Sequence, residues 1–435
     1  VLIRSDPVAS SDALSRLLAS RPVTAARWGL ERIEALLEAL GHPERRFAAL
    51  HIAGTNGKGS TAAFADAVLR SHDRSVGLYT SPHLVDVRER IVVDARTADE
   101  GSLQRLAARI EAFPEAGQAT YFEVTTALAF AVFAEAGVEW AVVEAGLGGR
   151  LDATNALTPR STCVTSIGRD HSDLLGDTLE EIAREKAGIF KPGIPAVIGE
   201  RDPAIAAVLL AHARHIGAPP LRPGIDSELS EVTVSPAGTA FVLRSRSWPD
   251  GLSLRTPMIG AHQARNAELA ILSLDAAGVP LDRGAVAAGL RRTRVAGRFE
   301  IRSERRPTRI LDIAHNREAM AAFLATARAV RPARPWVAVV SILRDKPWPA
   351  MLDMLRAEMD AIIVTRAPSA AESRRWDLGE VARRYAADPR LHIEVDLDRA
   401  LTAADELCGA GTVFITGSAH TVGDVRGRMG DHEEA

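Results

Sequence analysis

Apolar residues recur along this chain at two periods, and the alternation between them sets the expected fold. In residues 27–40, Leu30, Ile33, Leu36, Leu37 and Leu40 fall at helical spacing, and Gly41 supplies a stop. Residues 47–53 form a short apolar run ending in glycines, and a second helix is expected over 61–69. Strand, glycine loop and helix in that order begin a βαβ unit. Further units follow, with helix 126–136, a buried strand at 140–144, a strand at 161–167, helix 179–187 and a strand opening at 196–198. After Arg201 the pattern changes. Residues 228–254 alternate weakly and carry Ser, Pro and Gly, which predicts antiparallel strands at a sheet edge; helices return over 266–277 and 284–290.

Charge and Gly297 interrupt the pattern at 291–298, and a domain boundary is expected there. Beyond it the alternation restarts. Strands are expected at 309–313, 336–340, 361–365, 392–395 and 412–416, with helices 319–330, 348–359, 378–385 and 398–407 between them. That is a second doubly wound α/β unit, closed by a polar tail that frays from 427 onward.

Composition narrows the classes. With 46% apolar and 25% charged residues among 435, wholesale disorder is excluded. Only 11 Phe, 6 Trp and 3 Tyr are present, so the core is expected to be aliphatic, which suits helices on parallel strands. The balance of 53 Lys and Arg against 56 Asp and Glu, net −3, gives no support to a nucleic-acid partner. Two cysteines cannot build a disulfide framework, and Cys163, in the run Ser161-Thr162-Cys163-Val164-Thr165, reads as a small core residue. No apolar stretch approaches the ~20 residues that span a bilayer. Residues 1–21 carry Asp6 and Asp12 and lack the apolar core of a signal peptide, so the chain reads as soluble, reduced and cytoplasmic.

The strongest motif is His51-Ile52-Ala53-Gly54-Thr55-Asn56-Gly57-Lys58-Gly59-Ser60-Thr61. Glycines let the backbone curve so that several N–H groups converge on phosphate oxygens, while the following helix N-terminus and Lys58 add positive potential. The spacing departs from the standard phosphate loop, Gly-x-x-x-x-Gly-Lys-[Ser/Thr]. Only two residues separate Gly54 from Gly57, and Gly59 stands where the metal-binding hydroxyl normally follows the lysine. Either the metal takes another hydroxyl or the loop geometry differs. Motor and switch ATPases lose ground on this count.

Glu144 ends the apolar strand Trp140-Ala141-Val142-Val143-Glu144 and precedes Ala145-Gly146-Leu147-Gly148-Gly149-Arg150-Leu151-Asp152. A carboxylate at the carboxyl end of a central strand lies where doubly wound sheets bind ligands, and one carboxylate plus nucleotide phosphates suits Mg²⁺. His171, beside Asp170 after the next strand, is either a hydrogen-bonded loop histidine or a ligand, and an imidazole ligand is also compatible with Mn²⁺. Lys186, at the end of helix 179–187, reads as a lysine complementing the helix dipole, with Gly188 as the cap.

Taken in order, Gly54 to Thr61, Thr80-Ser81-Pro82-His83-Leu84, Glu144 to Asn155, Asp170-His171 and Glu185-Lys186-Ala187-Gly188-Ile189 closely resemble the bacterial folylpolyglutamate synthases. These are often bifunctional with dihydrofolate synthase and belong to the Mur ligase superfamily. The resemblance continues through Gly260-Ala261-His262-Gln263-Ala264-Arg265-Asn266, Gly297-Arg298-Phe299-Glu300 and Asp312-Ile313-Ala314-His315-Asn316, and so covers almost the whole chain. Two departures stand out. Ile313 replaces the usual glycine of Asp-Gly-Ala-His-Asn, and Ala296 replaces the proline of Pro-Gly-Arg.

The resemblance implies an ATP-binding, Mur ligase-like central domain over 1–292, built on a P-loop-type, mostly parallel sheet and carrying the pteroate site. A smaller Rossmann-like α/β domain over 293–435 would carry the glutamate side. It implies ATP contacts at Gly57, Lys58, Gly59, Ser60, Asn266, Arg298 and Asp312, and catalytic work at Lys58, Glu144, His171 and Lys186. Mg²⁺ ligands would be Ser81, Glu144 and His171, with a second Mg²⁺ on Lys186 after CO₂ converts it to a carbamate, contrary to the helix-cap reading. Dihydropteroate or (tetrahydro)folate would lie against Arg27, Trp28, Gly29, Leu30, Thr120, Tyr121, Phe122, Glu123, Leu151, Asp152 and Ala153. Arg90 and His315 are linked to the incoming L-glutamate. The family is generally monomeric, with no nucleic-acid or membrane partner. A Mur-type ligase for another peptide precursor and a nucleotide-dependent switch are the competing readings.

Overall fold

The computed structural model describes residues 12–19, 21, 29–303 and 306–430. Among these, the first sheet uses β1 (Ala48–Ala53), β2 (Val76–Tyr79), β3 (Ile91–Val93), β4 (Arg96–Thr97), β5 (Trp140–Glu144), β6 (Ser161–Val164), β7 (Ala196–Ile198) and β8 (Pro220–Leu221). Their order is β4-β3-β2-β5-β1-β6-β7-β8. All neighbours from β2 to β8 are parallel; β3 and β4 extend the edge antiparallel. β1 is buried over five of its six residues, because helices cover both faces and the strand has no wet side. It feeds α1 (Lys58–Arg70), which packs on that sheet through Phe64, Val68 and Leu69.

The segment after Arg201 corrects the sequence expectation twice. Helix Pro203–Ile216 opens on Asp202, whose carboxylate accepts the Ala204 and Ile205 N–H groups, with proline at the first turn. The weakly alternating stretch then forms not an edge of the main sheet but a sheet of its own, β9 (Ser227–Ser235), β10 (Gly238–Ser245) and β11 (Trp248–Thr256), in order β11-β10-β9. One face is apolar: Phe241, Leu243, Trp248 and Leu254 are buried against α2 (Ala261–Ala276). An isolated sheet needs only one dry face, which is why its pattern is weak rather than continuous.

The last helix of this half ends at Arg292, and the next strand opens at Glu300 in a third sheet. That sheet holds β12 (Glu300–Arg302), β13 (Thr308–Leu311), β14 (Trp336–Val340), β15 (Ala361–Val364), β16 (Leu391–Ile393) and β17 (Thr412–Thr416). The order is β12-β13-β17-β14-β15-β16, parallel except for β12. Its two faces are covered by separate cores, one around Phe323, Trp336, Trp348 and Phe414, the other around Leu397, Val413, Ile415 and Val422. Cys163 and Cys408 are both buried and free. No helix among the described residues is long and apolar enough to cross a membrane.

Candidate active site at the facing strand ends

β1 delivers the chain into Gly54, whose φ of +146° only glycine adopts freely; a methyl group there would stand 2.0 Å from Thr165 Oγ1. The loop is tied to the exit of β6. Thr165 Oγ1 donates to the Asn56 carbonyl at 2.7 Å, Ser166 Oγ donates to it at 3.0 Å, and Thr55 N–H donates to the Ser166 carbonyl at 2.8 Å. Gly57 then caps α1 with no side chain in the way, leaving the first-turn N–H groups of Lys58, Gly59 and Ser60 without helical partners. These are anion-binding donors.

Around that mouth stand four of the other expected residues, Ser81, Glu144, Asn266 and Arg298. Lys58 Nζ lies 3.8 Å from Glu144 Oε1, and Ser81 N–H donates to Glu144 Oε2 at 3.1 Å. A methyl on Gly57 would meet Asn266 Oδ1 at 2.6 Å, and one on Gly59 would meet Glu144 Oε2 at 3.2 Å and Arg298 Nη2 at 3.9 Å. Asn266 and Arg298 therefore border the loop from sequence positions far beyond it. Burial pushes the Glu144 carboxyl up, against the pull of Lys58 and the Ser81 N–H. Asp312 accepts the Phe299 and Ala314 N–H groups at 2.8 and 2.9 Å, and burial lifts it to about 6 despite Arg298.

Lys186 overturns the helix-cap reading. Its side chain is 5% exposed and turns inward, donating to the Gly54 carbonyl at 2.9 Å, while Gly188 keeps a right-handed φ of −62° rather than a left-handed cap. Burial, reinforced by Lys58, brings its amine down to about 7. His171 has a φ of +53° and faces Asp170 Oδ1 at 3.7 Å, too far for a hydrogen bond. Among the described residues, no three His, Cys, Asp or Glu side chains converge as a closed metal cage. An Mg²⁺ held with nucleotide phosphates needs few protein ligands, so a single buried carboxylate beside Ser81 and the phosphate loop is a fitting donor set.

A second group of expected residues gathers around the loop that follows β5. Thr120 caps the helix Tyr121–Ala136 through a capping box: its hydroxyl accepts the Glu123 N–H at 3.2 Å and its own N–H donates to Glu123 at 2.7 Å. Glu123 also holds Arg32 by two bonds of 2.8 and 3.1 Å. The box turns the half-buried Phe122 toward Gly146, where the ring leaves no room for a side chain, and toward Tyr79, 6.0 Å between centroids. Asp152 is buried and accepts the Leu147 N–H at 2.8 Å. Gly29, Leu30, Leu151 and Ala153 are described and buried or half-buried; Arg27 and Trp28 lie outside the described residues. Arg90 donates to His83 Nδ1 at 2.9 Å and stacks over Tyr121 at 5.4 Å, whereas His315 is held by Asp170.

Sequence reasoning passed over the contacts that join the halves. Asp170 Oδ1 is 2.5 Å from Lys346 Nζ, and Asp170 Oδ2 is 3.3 Å from His315 Nε2. Although burial opposes it, the His315 bond and the Lys346 charge hold the Asp170 carboxyl well below the usual range. Asn56 and Asn316 pair amide to amide at 2.9 and 3.3 Å. Leu84 packs on Gly297 and Gly423. A signal for Lys346 was present: the chain has only four lysines, Lys58, Lys186, Lys191 and Lys346, among 53 basic residues. Where arginine serves nearly everywhere, each lysine marks a place that wants a compact ammonium or a neutral amine.

Comparison with known proteins shows what the chain as a whole is similar to. Residues 52–274 match the Mur ligase middle domain and 297–419 the Mur ligase glutamate ligase domain. The chain is 35% identical over 422 residues to the dihydrofolate synthase/folylpolyglutamate synthase of Bacillus subtilis, covering 92% of this chain and 95% of that one. The structure of Escherichia coli FolC in complex with DHPP and ADP superposes with a TM-score of 0.86 at 31% identity, over 98% of this chain and 99% of that one. A bifunctional folylpolyglutamate synthase/dihydrofolate synthase with Mn, AMPPNP and L-glutamate bound gives 0.84 at 30% identity, over 98% and 100%.

Proposed function

This chain belongs to the family of dihydrofolate and folylpolyglutamate synthases, ATP-dependent ligases of the Mur type, and from that premise we propose which bond it makes and which side chains make it. The bond is the amide between the L-glutamate α-amine and the carboxyl group of dihydropteroate, of a (tetrahydro)folate glutamate, or of both. The observation that carries this reading is the setting of the phosphate loop, which Glu144, Asn266 and Arg298 border from three distant parts of the sequence. The loop also reaches the third sheet's half through the Asn56–Asn316 pair, and Phe122 packs on Gly146 just beyond Glu144. Residues 1–292 would supply the ATP and pterin sides, and 293–435 the glutamate side. All the residues that border the loop come from one chain, which supports a monomer as the working unit; we place it in the cytoplasm.

A free carboxylate is a poor acceptor for an amine, so the γ-phosphoryl group of ATP first passes to it, giving an acyl phosphate and ADP. The amine then attacks the carbonyl carbon, and the tetrahedral species expels phosphate. Phosphoryl transfer asks mainly for positioning and charge neutralisation. The N–H groups of Lys58, Gly59 and Ser60 hold the phosphates, and the Lys58 ammonium offsets charge at the transferred group. Arg298 borders the same loop from the second half, with Asp312 at its side. Ser81, Glu144 and His171 would hold Mg²⁺ or Mn²⁺, which when bound screens the repulsion between carboxylate and phosphate. Phe122 offers a face for a pterin ring, and Asp152 an acceptor for its amino-pyrimidine edge. Arg90 and His315 would receive the carboxylates of glutamate.

Lys186 supplies a condition on all of this. An amine brought down to about 7 is about half neutral at pH 7, and only the neutral form adds CO₂. The resulting carbamate would give the cleft a second anionic metal ligand. The deciding assay supplies ATP, Mg²⁺ and glutamate with dihydropteroate or tetrahydrofolate, and follows both ADP and amide product. Amide formed only when pterin and glutamate are present supports the ligase; ADP release indifferent to both would make it a nucleotide switch.

A further inference from the structure

His51 lies on β1 ahead of the glycine loop, fully buried, and none of the roles above uses it. Its Nε2 is 2.8 Å from Thr154 Oγ1, and that hydroxyl is 2.5 Å from Asp152 Oδ1. The Thr154 N–H donates to the same carboxylate oxygen at 3.0 Å, and the Leu147 N–H donates to Oδ2 at 2.8 Å. Thr154 is wholly buried and Asp152 is 4% exposed.

Counting protons fixes the direction of the chain. An ionised carboxylate only accepts, so the single hydroxyl proton of Thr154 points at Asp152. The hydroxyl oxygen must then accept, which places an N–H on His51 Nε2. The ring is neutral, because burial and the nearby Lys191 charge hold it down at about 3. Its other nitrogen, Nδ1, has no hydrogen-bond partner among the described residues. A buried imidazole with one idle nitrogen costs stability, and a leucine would fill the space without that cost. The residue is therefore poorly explained by packing, and well explained by the one bond it donates.

We propose that His51 and Thr154 form a positioning relay that orients the Asp152 carboxylate toward the donor edge of a pterin-class heterocycle, and so set part of the selectivity for that substrate. The inference rests on the reading of Asp152 as the pterin acceptor. His51 touches no reacting atom. It acts through Thr154, whose hydroxyl adds a side-chain donor to a carboxylate that the Thr154 and Leu147 N–H groups hold by one oxygen each.

The test is a KM comparison across substrates. Thr154→Val keeps the side-chain shape and removes the hydroxyl; the KM for dihydropteroate or tetrahydrofolate rises about tenfold, while kcat and the KM values for ATP and glutamate stay within about twofold. Thr154→Ser restores the pterin KM. His51→Leu repeats the Thr154→Val effect, and His51→Gln, which keeps a donor at the Nε2 position, largely rescues it; this pair carries the comparison if the valine variant does not fold. Asp152→Asn is measured alongside. If it leaves the pterin KM unchanged, the reading of Asp152 falls and the relay with it. If Asp152→Asn raises that KM but Thr154→Val and His51→Leu do not, the relay alone is overturned. An equal rise in all three KM values also overturns it, since that marks a general loss of fold.

Discussion

A lysine held at about 7 behaves unlike one on a surface. Protonation removes the lone pair that attacks CO₂, so falling pH works against carbamate formation and rising pH favours it. At limiting CO₂, ligation is expected to fall steeply from pH 8 to pH 6 and to recover partly when bicarbonate is raised. A flat profile at limiting CO₂ would remove the carbamate from the mechanism. Lys186→Ala is expected to lose more than about a hundredfold in kcat, with partial recovery on adding short carboxylic acids. Full activity without additive would equally exclude the carbamate. Glu144→Gln is expected to lose a similar factor, and near-normal turnover at limiting Mg²⁺ would take Glu144 away from the metal. At this scale the sequence was legible where chemistry is written in residue type, as in Gly57-Lys58-Gly59-Ser60. It was misleading at Lys186, because a helix-terminal lysine reads the same whether it faces water or the Gly54 carbonyl. Burial, the property that matters there, is not a local one.

Elements show the same division. Strands β5, β7, β14 and β17 fall where the apolar runs put them, since a strand buried on both faces leaves little freedom of register. Helix Ala419–Met429 escaped notice: its buried Val422 and Val425 are separated by Gly423 and Asp424 and followed by a buried Arg426 that pairs with Glu300. Gly423 is required there because Leu84 from the Ser81 loop lies against it, so a glycine that reads as a helix breaker is an interface residue. The capping box at Thr120 gives an element-scale prediction. Thr120→Ala is expected to cost about 1 kcal/mol of stability, read from denaturant midpoints. Because the box also aims Phe122, the KM for the pterin substrate is expected to rise more than the KM for ATP. An equal change in both would separate the cap from the pocket.

For the whole molecule, periodicity predicts two α/β units but not how they meet. The meeting depends on pairs far apart in sequence, Asn56 with Asn316 and Asp170 with Lys346 and His315, which no local pattern registers. Lys346→Met leaves the half-buried Asp170 facing only the two histidines. It is expected to lower kcat/KM for ATP and for glutamate at least tenfold while far-ultraviolet circular dichroism stays unchanged; parity with the parent enzyme would show that this contact does not govern how the halves close. The scarcity of lysine has a consequence of another kind. Of the four, Lys186 and Lys346 are buried and Lys58 and Lys191 are partly covered, so the outer surface carries its positive charge almost wholly on guanidinium groups. Guanidinium does not capture CO₂. In solution equilibrated with ¹³C-labelled carbon dioxide, side-chain carbamate can therefore form at very few places. A carbonyl resonance from Lys186 would stand against an almost silent background, which makes the enzyme its own isolated spectroscopic sample.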